Sequence, residues 1–174
     1  MQERTIKSKK IYKGRIISVR DDMVRMITGR VTSREVVEHP GAVGVIALTS
    51  KGEIVLVRQY RKPVEQIMLE IPAGLFNKGE NLAAAAKREL EEETGYKAGK
   101  IKKVFSAFMS PGYSTEKFHY FITKDIKKAV QRYEEDEHIK VAKLPLSSAW
   151  RMVKNGRIKD NKTIVGIAIA KWMS

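Results

Sequence analysis

The stretch from Gly74 to Tyr96, GLFNKGENLAAAAKRELEEETGY, constrains the fold of this chain more than any other. Its second half has the marks of one well-specified helix. Asn81 is placed as N-cap, the alanine run at 83–86 supplies intrinsic propensity, and Gly95 stands where a left-handed residue closes the C-terminus. Leu82, Ala86 and Leu90 recur every fourth residue and make a narrow apolar stripe, small at its centre, that lets the helix sit close to a sheet. Glu89 and Glu93 lie on another stripe with Glu92 beside them, Glu91 is turned away, and Arg88 reaches Glu92 at the i,i+4 spacing. That end of the helix is an unfavourable place for acid. Carboxylates at the negative end of the dipole cost roughly 0.3–1 kcal/mol each, and Glu89 repels Glu92 and Glu93 as like-charge neighbours. Two local rules broken at one place imply a compensating partner. A solvated charged face is the plain reading; a divalent cation held by hard carboxylate oxygens, Mg²⁺ or Mn²⁺, is the chemical one.

The wider pattern favours chemistry. Gly74, five residues, Glu80, seven residues, then Arg88-Glu89-Leu90-x-Glu92-Glu93-x-Gly95-Tyr96 resembles the Nudix box, the signature of hydrolases acting on nucleoside diphosphates linked to another moiety. Every fixed letter is filled, and only Tyr96 departs, standing where a bulky aliphatic is usual. The resemblance implies an α+β fold, the Nudix-type α/β/α sandwich with a mixed sheet. It also implies that Glu89 and Glu93, with Glu92 as a further ligand and the Ala73 carbonyl beside them, hold Mg²⁺ (or Mn²⁺). Gly74, Glu80, Arg88 and Gly95 would shape and orient the box.

Composition bounds the rest. A chain of 174 residues buries a full core as one domain. It has no Cys, which excludes disulfides and thiolate metal sites and fits a reducing cytoplasm. His39, His119 and His138 are scattered, too few for a histidine-rich metal centre. No apolar run has the length of a signal peptide or a membrane span. The net charge of +14 is unevenly spread: two acidic islands, Glu70–Glu93 and Glu134–Glu137, interrupt a basic chain. That distribution suits a metal cradle inside a field that attracts an anionic substrate; a lysine-rich surface of the thermophile kind is the equal alternative.

Taken in order, residues 4–39 read as an antiparallel meander, with alternation at 15–19, 23–27 and 34–39 and turns at Asp21-Asp22 and Thr28-Gly29. GAVGVIAL (41–48) is a buried strand, and EIVLVRQYR (53–61) returns antiparallel to it, carrying Arg58 and Arg61, forks of fixed donors of the kind a diphosphate needs. A strand in 64–74 is closed by Pro72, so that Ala73-Gly74 begins the loop into the helix. Strands at 101–110 and 117–123 flank a turn-rich loop with Pro111, and a further strand follows the second acidic island. Two helices end the chain, one capped by Ser147 and stopped at Asn155-Gly156, the other opened by Asn161, neither with catalytic residues.

Pro111, fifteen residues beyond the box, together with EHPGAVGVIAL, RQYR and EIPAGL, is similar to the ADP-ribose pyrophosphatase branch of the Nudix family. That resemblance implies Mg²⁺-dependent hydrolysis of ADP-ribose to AMP and ribose 5-phosphate, with Arg58, Arg61, Glu70, Leu75 and Pro111 on the substrate. Besides Glu93, it offers Glu135 or Glu137 as general base or an additional metal ligand, with Glu116 less favoured. It further implies a cytoplasmic homodimer in which residues 1–39 are a strand region that serves dimerisation and substrate binding, and 40–174 the hydrolase domain. Two alternatives stand beside it. One is another nucleoside diphosphate derivative: a nucleotide sugar, a dinucleoside polyphosphate or an oxidised nucleotide. The other is a non-catalytic basic module that binds nucleotide or RNA, disfavoured by the intact box and by the lack of an aromatic-rich basic patch.

Overall fold

The structure, a computed structural model, describes residues 2–129 and 139–173. It divides into two units. The first comprises Met1–Gly41 with Ala107–Lys117, and the second Ala42–Ser106 with Phe118–Ser174.

The first unit is a three-stranded antiparallel sheet of β1 (Arg4–Lys13), β2 (Ser18–Arg25) and β3 (Val31–Glu38), in that order. Asp21 and Asp22, expected to turn the chain, lie inside β2. Lys9 stands opposite Asp21 and Arg34 opposite Asp22, and Arg20 Nε reaches Asp22 at 3.0 Å. Backbone pairing of β2 with β1 on one side and β3 on the other outweighs the turn propensity of the aspartates. The turn falls earlier, where Gly14 N–H donates to Ile17 O, while Thr28-Gly29 turns as expected with Gly29 at φ +84°. The segment Ala107–Lys117 belongs to this unit because it is laced to β3: Val37 N–H donates to Tyr113 O, and Thr115 N–H to Val37 O.

The second unit is built on β4 (Ala42–Leu48), buried along its whole length, with β5 (Glu53–Arg61) antiparallel beside it. A short 3₁₀ turn at Lys62–Val64 leads to β6 (Gln66–Glu70), which pairs β5. Ala73-Gly74, expected as the start of a loop, belong instead to a short strand β7 (Ala73–Leu75) hydrogen-bonded antiparallel to β4. Pro72 ends β6 as its missing N–H requires, and its carbonyl accepts Val45 N–H, steering the chain onto β4.

The helix α1 (Leu82–Thr94) follows as read. Asn81 accepts from the Ala83 and Ala84 amides, and Gly95 closes the helix at φ +66°. Next come β8 (Tyr96–Ala98), β9 (Lys102–Phe108), β10 (Lys117–Thr123), β11 (Ile126–Lys128) and β12 (Lys140–Pro145). The main sheet runs β12-β5-β4-β10-β9, with β10 parallel to β4 and the other registered neighbours antiparallel, so it is mixed. β8 and β11 form a separate two-stranded sheet that the sequence reading missed.

One face of β4 meets α1. Val43, Val45 and Ala47 pack with Ala85, Ala86, Leu90 and Phe121, and each large apolar side chain withdrawn from water there contributes about 1.5–3 kcal/mol. On the other face Ile46 lies close to Gly166 of α3 (Asn161–Trp172), where a Cβ would press Ile46 and Ile71 at 3.3 Å. With α2 (Leu146–Lys154) packed on α3, the layers are helix, sheet, helix. Both terminal helices start differently from the expectation. α2 begins after Pro145 with no side-chain cap, so Ser147 lies inside it. Asp160 caps α3 in place of Asn161, its Oδ2 accepting Thr163 N–H at 2.9 Å. No helix among the described residues is long and apolar enough to cross a membrane.

Candidate functional site

The site is organised by two stretches of backbone and one helix end. β7 is held against β4, and α1 lays its last two turns beside it. Glu93, buried at 5% exposure, accepts the Ala73 N–H at 3.1 Å. Glu89 lies against Gly74 so closely that a Cβ built there would overlap its carboxylate. Gly74 is therefore required by approach and not by backbone conformation, since its φ is not in the left-handed region. The Ala73-Gly74 backbone and two carboxylates of α1 thus share one place.

Arg88 binds this arrangement together. Its Nη1 donates to Glu89 Oε1 at 2.7 Å and to Glu92 Oε2 at 3.0 Å, its Nε to Glu80 Oε1 at 3.3 Å, and its Nη2 to the Leu75 carbonyl at 3.0 Å. Burial opposes its charge, but the hydrogen bonds it donates to Glu80 and the charge of Glu89 outweigh that and hold Arg88 firmly protonated. Glu80 caps the turn before the helix: the Asn77 amide hydrogen bond, aided by Arg88, lowers its pKa from the ordinary carboxylate value. Part of the repulsion among the box glutamates is therefore relieved by a cation of the protein itself.

The donor set suits a hard dication. Glu89 and Glu93 offer oxygens against a backbone segment that has no side chain at Gly74 to fill the space, the coordination chemistry that Mg²⁺ and Mn²⁺ favour. As they stand, no three His, Asp or Glu side chains among the described residues converge on one point. Glu89 and Glu92 are drawn to Arg88, so an ion held by them would exchange part of that ion pairing for coordination.

A second cluster lies at the end of β6. Arg61 grips Glu70 with both arms, Nε to Oε1 at 2.8 Å and Nη2 to Oε2 at 2.7 Å. Glu70 is only 1% exposed and also receives Lys162 Nζ, which bonds Asp160 Oδ1 at 2.8 Å. Burial pushes the Glu70 carboxyl up, but the Arg61 hydrogen bonds and the Lys162 charge prevail and leave its pKa below the ordinary value. Arg61 is held more firmly protonated by the same hydrogen bonds, and the Glu93 carboxylate adds to the effect. Asp160 Oδ2 also accepts the Thr163 hydroxyl, and that hydroxyl accepts the Ile71 N–H at 2.8 Å. Hence residues 70–73 are fixed at Glu70, Ile71, Pro72 and Ala73 in turn.

The structure brings Ala73, Gly74, Leu75, Glu80, Arg88, Glu89, Glu92 and Glu93 together, and joins Arg61 to Glu70. Arg58 is exposed on β5, opposite Leu69 and Lys140. Pro111 and Glu116 belong to the first unit, where Pro111 is exposed and Glu116 N–H donates to Ser114 Oγ. Glu135 and Glu137 lie outside the described residues. The sequence reading missed Asp160, Lys162 and Thr163. A signal was present: Lys162 puts a cation in the first turn of α3, the positive end of its dipole.

Residues 38–164 match the NUDIX domain family. The chain is 41% identical over 168 residues to a methanol dehydrogenase activator of Bacillus methanolicus, covering 95% of this chain and 91% of that protein. It is 39% identical over 169 residues to an ADP-ribose pyrophosphatase of Bacillus subtilis (strain 168), covering 96% and 91%. The fold also matches the crystal structure of an ADP compounds hydrolase with a TM-score of 0.88 at 20% identity, over 99% of this chain and 95% of that one.

Proposed function

Because the chain belongs to the NUDIX domain family, we propose that it hydrolyses the pyrophosphate bond of ADP-ribose, with Mg²⁺ or Mn²⁺, to AMP and ribose 5-phosphate. The observation that carries the reading is the meeting of Glu89 and Glu93 on the Ala73-Gly74 backbone. The pyrophosphatase relative, similar over most of both chains, supplies the substrate. A bound dication supplies neutralising charge for the diphosphate and a more acidic water.

The protein's own residues do the rest. Glu89 and Glu93, with Glu92 and the Ala73 carbonyl, are the ligands; Glu80 and Arg88 orient them. Arg61, aligned by Glu70, turns its remaining amino group, Nη1, to the substrate anion, and Arg58 and Leu75 are the further substrate contacts. Glu135 or Glu137 accepts the proton as water attacks one phosphorus and the bridging P–O bond breaks. The work is positioning and charge neutralisation, which suits a site made of carboxylates and guanidinium groups.

We place the enzyme in the cytoplasm as a homodimer. Exposed Ile6, Ile11 and Tyr12 on β1 and Met23 on β2 support the dimer, since large apolar side chains left in water on a sheet gain from being covered. The test is kcat/KM for ADP-ribose against a panel holding GDP-mannose, a dinucleoside polyphosphate and an oxidised nucleotide, with and without Mg²⁺. ADP-ribose should lead. Another compound in the lead replaces the substrate; failure to hydrolyse any, with salt-sensitive RNA binding instead, replaces the reading.

A further inference from the structure

The start of α3 reaches the site without belonging to the box. Lys162, with its side chain 13% exposed, lies between two carboxylates, Glu70 and Asp160. Around it the formal charges cancel: Arg61 and Lys162 against Glu70 and Asp160. Arg61 lends Glu70 only Nε and Nη2, and its Nη1 has no partner among the described residues. Its side chain is 39% exposed, so the guanidinium faces outward from a buried anchor, within the electrostatic reach of Glu93.

We propose that Lys162 is a positioning residue for the diphosphate, neutralising buried Glu70 so that Arg61 keeps both its orientation and its positive charge for the substrate. The proposal rests on the diphosphate hydrolysis argued above and adds a residue from outside the signature. Without Lys162, the cluster carries a net negative charge beside Glu93, and among the described residues Arg61 is the sole cation left to Glu70. An incoming diphosphate then meets repulsion where it met a poised guanidinium. The reacting atoms are untouched, so the loss belongs in binding and not in the chemical step.

The experiment compares Lys162→Met, Lys162→Arg and Asp160→Asn with wild type. It reads kcat and KM for ADP-ribose, and Kd for α,β-methylene ADP-ribose by calorimetry with Mg²⁺. Lys162→Met should raise KM and Kd about tenfold with kcat within about twofold. Lys162→Arg should return both to within about threefold of wild type, because the charge is restored. Asp160→Asn keeps a helix-capping oxygen but removes a negative charge, so KM should fall about twofold to threefold.

A folded Lys162→Met with unchanged KM overturns the proposal, as does a loss confined to kcat or a Lys162→Arg as impaired as Lys162→Met. Asp160→Asn decides alone if Lys162→Met does not fold: an unchanged or raised KM overturns the proposal, since that result reports damage to α3 and not charge. Wild-type enzyme inert on ADP-ribose but active on GDP-mannose sinks the substrate assignment only, and the same ratios are then read on GDP-mannose. Wild type that cleaves neither overturns both.

Discussion

Replacing Gly74 by alanine separates the site from the fold. Alanine suits the backbone there, because φ lies outside the left-handed region. Its Cβ, however, would overlap all three carboxyl atoms of Glu89, where ordinary contact begins at 3.4 Å. The carboxylate must retreat by about 1 Å or more, and a misplacement of that size costs about 10²-fold in rate, equivalent to about 2.7 kcal/mol in the barrier. The fold loses far less. The displaced group is the end of a flexible side chain, and among the bonds it loosens is its pair with Arg88, whose side chain is 34% exposed against 12% for Glu89. That pair, screened by solvent on the Arg88 side, contributes on the order of 1 kcal/mol. The assay is kcat at saturating ADP-ribose and Mg²⁺, beside urea unfolding of the same preparations. A kcat within threefold of wild type would refute the placing of Glu89 against Gly74 in the working enzyme. A stability loss of several kcal/mol would show that Gly74 serves packing instead.

Other perturbations have equally definite outcomes. Glu93→Gln should lower turnover by about 10² or more while leaving a cooperative unfolding transition; wild-type turnover would remove Glu93 from the ligand set. Glu70 has a folded-state pKa below its unfolded value near 4.5, so its ionised form stabilises the protein above that pH, and the contribution is lost as pH falls through the lower folded value. The stability gap between wild type and Glu70→Gln should accordingly be widest at neutral pH and shrink on acidification below pH 4.5; a gap that grows instead contradicts the depressed pKa. Asn81→Ala removes the acceptor for two amides at the start of α1 and should cost about 0.5–2 kcal/mol in urea unfolding, and no measurable cost would mean that water caps the helix equally well.

What the sequence disclosed, and what it hid, follows the range of the forces involved. α1 was legible to its caps because Asn81, the alanine run and Gly95 act within a few residues of themselves. β4 and β5 were legible because unbroken apolar runs between turns have one outcome, burial. Asp21-Asp22 misled because the strands that pair with β2 on both sides are set by residues elsewhere in the chain and hold the two aspartates in an extended register. Ala73-Gly74 read as a loop because three residues are too few to show a period, and their strand exists only through pairing with β4. The caps of α2 and α3 slipped by one or two residues, as helix starts do when neighbouring residues can serve equally.

At the site, the acidic helix end pointed to a compensating cation. The structure adds that Arg88 and the Ala73 amide already supply some of that compensation. The Arg61–Glu70–Lys162 cluster was invisible as a unit, since Glu70 and Lys162 are joined across 92 residues. Only the unfavourable dipole position of Lys162 hinted at it, by the same logic that drew attention to the glutamates.

In the proposed mechanism Glu89 and Glu93 hold a dication beside the Ala73-Gly74 backbone. Anomalous diffraction from crystals grown with Mn²⁺ and α,β-methylene ADP-ribose tests it most directly. A manganese peak is expected with carboxylate oxygens of Glu89 and Glu93 at about 2.2 Å, and Arg88 shifted from its pairing with Glu89. Manganese bound elsewhere, with both carboxylates still on Arg88 and the Ala73 amide, would contradict it.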